Sequence, residues 1–216
     1  MERSLLITRP EHDVTTRYIS KWSEKIIKEA SEKHVDVIDL HKDKANKDRV
    51  LGTLKKKSSL RMLVVLNGHG NSTTVAGHNN EPLITKDDAE VLAGKLVYAR
   101  SCQSAKVLGK TAIAKGTIAY VGYQEDFIFL IDEDKIMKPL EDAKAALFLE
   151  PSNYVISSLL KGHSAADAHH RSKNLFRKNL EKVLTGKTSS EDRCAARFLY
   201  WDMTNQVCLG DGTAVL

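Results

Sequence analysis

Short apolar runs alternate with amphipathic segments through the first two thirds of the chain, and this alternation restricts the fold more than any other feature. The runs fall at residues 5–8, 35–40, 63–66, 96–99 and 117–121. Leu63-Val64-Val65-Leu66 is apolar at every position, as a strand covered on both faces requires. Between the first two runs, Asp13 or Thr15 can cap a helix reaching about residue 31. Its Tyr18, Trp22, Ile26 and Ile27 recur at helical spacing. A polar helix over 45–56 turns Val50, Leu51 and Leu54 inward, and 105–115 also reads as helix. Strands joined by helices at this pitch predict an α/β layer fold, with a mostly parallel central sheet and right-handed crossovers.

Beyond Pro139 the pattern turns helical, over 141–149, 152–161, 165–184 and 191–202, before 206–209 returns to a sheet edge. With no linker or repeat, one domain over 1–216, mainly helical from about 139, is the simplest division. No run approaches eighteen apolar residues, which argues against a membrane partner. The opening Met1-Glu2-Arg3-Ser4 reaches Leu5-Leu6-Ile7 too soon for a signal peptide. Three widely spaced cysteines, Cys102, Cys194 and Cys208, make no disulfide framework and fit a reducing compartment. A cytoplasmic protein is the expectation. The net charge of +5 is concentrated at 42–57 and 171–187. Without stacking aromatics or a recognition motif these read as solvated helix faces, not a nucleic-acid surface.

Two of the apolar runs end in residues that carry chemistry. Asn67-Gly68-His69-Gly70 follows the third and Arg100-Ser101-Cys102 the fourth. In a parallel sheet the carboxyl ends of neighbouring strands share one rim, where ligands bind. His69 and Cys102 each lie three residues beyond their run, so they meet there if the two strands are neighbours. Cys102 would be a thiol nucleophile and His69 its base, with the amides of Gly70 and Cys102 facing an oxyanion. A helix opening near Ser104 and Ala105 would favour the thiolate. The bland reading makes Cys102 a small buried hydrophobe and His69 a turn residue. The polar stretch 71–88 reads as a hairpin or loop beside His69, from which His78 could touch substrate. His12, His34 and His41 read as superficial, Cys194 and Cys208 as core. His163, His169 and His170 lack a zinc spacing, so no metal is expected. There is no G-x-S-x-G elbow, and no glycine-rich phosphate loop that would imply a nucleotide cofactor.

At these residues the sequence resembles the caspase-like group of cysteine peptidases, which includes caspases, metacaspases, legumain, clostripain, gingipains, separase and CHAT domains. The resemblance lies in the strand ending in Gly68-His69-Gly70, the strand ending in Ser101-Cys102, and the tail Gln206-Val207-Cys208-Leu209-Gly210-Asp211-Gly212. Gly212 stands where relatives carry proline. The resemblance implies a caspase-like three-layer fold and a thiol endopeptidase with a Cys102–His69 dyad. It implies no cofactor, no metal requirement and a peptide or protein substrate, with a protein activator as a candidate partner; some relatives use calcium for activation.

Where related enzymes carry a carboxylate that selects Lys or Arg before the scissile bond, this chain has Arg100. A guanidinium there would hold an acidic side chain bidentately. Glu125 and Asp126, after the fifth run, argue the other way, for a basic one, but the acidic preference is the expectation. The competing class is a non-catalytic interaction module on the same scaffold. The oligomeric state is open.

Overall fold

The computed structural model describes residues 3–57, 61–185 and 190–216. Met1, Glu2 and the last two residues of the basic stretch 171–187 lie outside them. In chain order the elements are β1 (Arg3–Arg9), α1 (Val14–Glu32), β2 (Asp36–His41), α2 (Lys47–Lys56) and β3 (Arg61–Asn67), followed by β4 (Thr74–Ala76), β5 (Pro82–Thr85), β6 (Leu96–Arg100), α3 (Leu108–Ala114) and β7 (Ala119–Tyr123). The helical part holds α4 (Ala143–Leu160), α5 (Ala165–Thr185) and α6 (Ser190–Asn205), and β8 (Gln206–Gly210) closes the chain.

Six strands form one sheet in the order β2-β1-β3-β6-β7-β8, parallel except for β8, which runs antiparallel to β7. Period-two alternation divides the core. Leu5, Ile7, Leu63, Val65, Leu96 and Tyr98 pack under α1, α4, α5 and α6. Leu6, Val64, Leu66, Val97 and Ala99 face α2, α3 and the β4–β5 hairpin. The result is the expected three-layer α/β architecture. Among the described residues no helix is long and apolar enough to cross a membrane.

Two helix boundaries differ from the sequence expectation. Residues 143–160 form one helix with Pro151 inside it, not two helices separated there. Proline has no N–H, so the carbonyl of Leu147 one turn earlier loses its helical donor. Asn179 Nδ2 on α5 supplies the missing hydrogen bond at 2.7 Å. The segment after Cys102 runs through turns to residue 107 before α3 starts at Leu108. Cys102 therefore does not sit at a helix N-terminus.

A buried cluster ties the helical layer to the sheet edge. His169 Nδ1 contacts Gln206 Oε1 at 3.1 Å, and Gln206 Nε2 donates to Tyr123 Oη and Ser172 Oγ. Burial lowers the His169 pKa to about 4, so the folded protein holds the ring neutral while the unfolded chain protonates it near 6.5. The unfolded state binds the extra proton, so stability is full above about pH 6.5 and falls as pH drops towards 4. The loss is on the order of 3 kcal/mol. Urea unfolding at pH 7 and pH 4.5 measures it, and His169→Gln should flatten the difference.

Candidate active site

The strand ends place His69 and Cys102 together. Leu66 pairs with Ala99 and Asn67 with Arg100 across β3 and β6. Two residues beyond each of these strand ends stand His69 and Cys102. Beyond the strands the register is held by Gly68 N–H donating to Arg100 O at 3.4 Å and by Ser101 Oγ donating to His69 O at 2.9 Å. Both residues line one open cleft of about 300 Å³, whose other walls include Ile19, Asp126, Phe127 and Phe129.

The glycines beside His69 are required by space. Gly68 has φ +149°, and a Cβ there would lie 2.0 Å from Ala76 O. At Gly70 a Cβ would lie 2.2 Å from Ser101 Oγ, so the loop can pass beneath the Cys102 loop only without a side chain. Gly70 also forms an isolated bridge with Val75. Its hydrogen bonds are made by the flanking residues, Asn71 N–H to Thr74 O and Ala76 N–H to His69 O. The pair is thus of the non-hydrogen-bonded kind, and the ladder leaves the Gly70 amide uncommitted.

Asp13, read from sequence only as a possible helix cap, has a second role. Its Oδ1 caps α1, accepting from Thr16 N–H at 2.7 Å and Thr16 Oγ1 at 2.8 Å. Its Oδ2 lies 2.6 Å from His69 Nε2. Desolvation by burial acts to raise the Asp13 pKa, but its bonds to Thr16 and His69 outweigh that and hold it below the ordinary aspartate value. An ionised Asp13 fixes Nε2 as the protonated nitrogen and leaves Nδ1 with the lone pair a base needs. His12 stands beside them, its ring edge-on to those of His69 and His78 at 6.0 and 5.4 Å between centroids. Far from superficial, it has both ring nitrogens buried and without a hydrogen-bond partner. Among the described residues, His12, Asp13 and His69 are the one group of such side chains able to converge on a metal ion.

Cys102 is half-buried, with Sγ 3.9 Å from Phe127 O. Burial pushes its thiol pKa up, and the nearby Asp126 and Asp202 carboxyls add to the effect. The sequence expectation of a thiolate favoured by a helix N-terminus is therefore corrected. Burial favours the protonated thiol here. Asp202 is itself fully buried and accepts from Ile128 N–H at 3.1 Å, bracing the cleft wall. Burial raises its pKa well above the usual value.

The remaining expected substrate contacts separate. Asp126 is exposed on the cleft wall, where Gln103 Nε2 donates to it at 3.1 Å. Glu125 pairs instead with Lys106 at 3.0 Å and does not line the cleft. His78 Nδ1 accepts from Glu11 N–H, and the ring faces a different hollow beside Lys47 and Arg49. Arg100 lies directly beneath the cleft but has no accessible surface. Its guanidinium bonds to Asn67 Oδ1, Asn153 Oδ1, Ser152 Oγ and Ser23 Oγ. In this arrangement it cannot reach an acidic substrate side chain. Cys194, expected in the core, is exposed on α6, and Cys208 is partly buried.

No family model matches the chain, and no curated protein matches it. Among solved structures, one similar chain is an inactive zymogen C11 protease from Parabacteroides distasonis. It is 13% identical over 95% of this chain and 83% of that one, with a TM-score of 0.44.

Proposed function

We propose that this chain is a cysteine endopeptidase in which Cys102 is the nucleophile and His69 the base. The observation that carries the reading is the placement of the two residues just beyond the paired ends of adjacent parallel strands, both lining one cleft. The Asp13 carboxylate lies against Nε2 of His69, which would leave Nδ1 for the proton of Cys102.

The geometry supports the following sequence of steps. His69 Nδ1 accepts the Cys102 proton as Sγ attacks the substrate carbonyl carbon. The amides of Gly70 and Cys102 receive the developing oxyanion. The imidazolium, stabilised by Asp13, then protonates the departing amine, leaving a thioester on Cys102. Water, deprotonated by the same nitrogen, releases the acid and restores the thiol. Burial raises the thiol pKa, which strengthens the need for a base such as His69.

The accessible charge in the cleft wall is the Asp126 carboxylate, while the Arg100 cation is sealed beneath. That contrast favours Lys or Arg before the scissile bond, in place of the acidic residue that Arg100 would select. A fluorogenic peptide library varied at that position decides the preference, with cleavage after Asp or Glu alone as the contrary result.

A peptide electrophile carrying an acyloxymethyl ketone tests the nucleophile. It is expected to label the protein once, to lose labelling in Cys102→Ala, and to retain it in Cys194→Ala and Cys208→Ala. Because Cys194 is exposed, a simple alkylating agent would not discriminate. Undiminished peptide-directed labelling of Cys102→Ala would remove the assignment.

A further inference from the structure

His12 has an energetic problem that the peptidase reading does not solve. Its side chain is 11% exposed, and neither ring nitrogen has a hydrogen-bond partner. A buried polar group left unpaired is destabilising and calls for a partner. A neutral imidazole offers one lone pair, and among the described residues the groups whose donor atoms converge with it are Asp13 and His69. Asp13 Oδ2 lies 3.6 Å from His12 Nε2 and 2.6 Å from His69 Nε2. One donor atom from each of the three residues falls within 4.8 Å of the others.

These distances match a coordination sphere. Ligands at about 2.0–2.2 Å from a tetrahedral zinc ion stand roughly 3.3 Å apart. The two contacts of Asp13 Oδ2 bracket that value, and the two histidines need only close the remaining gap. Asp13 Oδ1 stays on Thr16 throughout, so the cap of α1 survives while Oδ2 ligates. The N-terminus of α1 disfavours a nearby cation, and the ionised Asp13 seated there offsets this. Two imidazoles and one carboxylate suit a borderline divalent transition ion and not calcium or magnesium, which require oxygen. Three protein ligands leave a fourth position open to solvent.

We propose that His12, Asp13 and His69 form a site for a divalent transition-metal ion, zinc above all. Filling it takes both His69 and Asp13 out of the resting arrangement. Metal occupancy and base catalysis then compete for the same histidine, so the ion acts as a reversible inhibitor. The inhibitory consequence rests on the peptidase reading; the site itself does not.

Calorimetric titration of the purified chain with Zn²⁺, in parallel with peptide hydrolysis, tests both. One ion per chain is expected, with similar affinity in the unaltered protein and in Cys102→Ala. Affinity should fall at least tenfold in His12→Phe, which keeps the ring's volume, and in Asp13→Asn, which keeps the cap; circular dichroism confirms that each is folded. With chelator present, His12→Phe should hydrolyse peptide at the unaltered rate, and it should resist added zinc. Zinc affinity unchanged in His12→Phe would overturn the site, as would binding lost in Cys102→Ala but kept in His12→Phe, which assigns the ion to the Cys102–His69 pair. A chain that binds zinc through His12 yet cleaves no peptide and takes no label would leave the site standing and remove the peptidase.

Discussion

Peptide hydrolysis is expected to fall at least about 10³-fold in Cys102→Ala and in His69→Ala, with little further loss in the double variant. In the proposed mechanism the two groups act as one unit, since a thiol whose pKa burial raises is a poor nucleophile until a base removes its proton. Removing either partner therefore removes the step they share, and the second substitution has nothing left to take. Stability should barely change. Cys102 makes one weak contact, to Phe127 O, and the His69 side chain is 38% exposed. The measurement is kcat/KM on a peptide with a basic residue before the scissile bond, beside thermal unfolding of all three variants. Losses that multiply in the double variant would mean that the residues act independently. Asp13→Asn belongs to the same series as a positioning change. It should lower kcat more than it alters KM, because it frees His69 to adopt the wrong tautomer without touching substrate.

Much of this site could be read from the sequence because it depends on local pattern. Continuous apolar runs marked β3 and β6, and counting from their ends put His69 and Cys102 on one rim. Asp13 and His12 escaped because their link to His69 is long-range, spanning 56 residues between Asp13 and His69. They follow β1, which neighbours β3 in the sheet, so they reach the same rim. The strand order that brings them there is not encoded in any local periodicity. A usable signal did exist: polar residues just beyond any parallel strand are candidates for that rim. Pro151 shows the opposite limit. A helix breaker by local rules, it is tolerated inside α4 because Asn179, from another helix, supplies the donor it lacks.

Arg100 joins the two lessons, and substituting it has the second large expected effect: Arg100→Met should lower stability by about 3 kcal/mol. Along β6, Leu96, Tyr98 and Arg100 share the face turned to α1 and α4. The strand's own alternation thus directs this side chain into the helical layer. There the guanidinium joins Asn67 of β3 to Ser23 of α1 and to Ser152 and Asn153 of α4. No carboxylate pairs with it among the described residues. Replacing a desolvated cation with an apolar chain relieves part of its burial cost. The replacement also strands the amide oxygens of Asn67 and Asn153, each at about 1–3 kcal/mol. Asn67 and Arg100 are the last residues of β3 and β6, so loosening them also loosens the His69 and Cys102 loops, and kcat should drop with stability. Lysine would not rescue either property, because a point charge cannot reproduce a planar fork with four acceptors. Urea unfolding and kinetics on acidic and basic peptides separate this role from substrate selection. A selectivity residue would leave the unfolding midpoint in place and raise KM only for acidic peptides. A structural clamp lowers the midpoint and slows every peptide alike, which is the outcome its burial predicts.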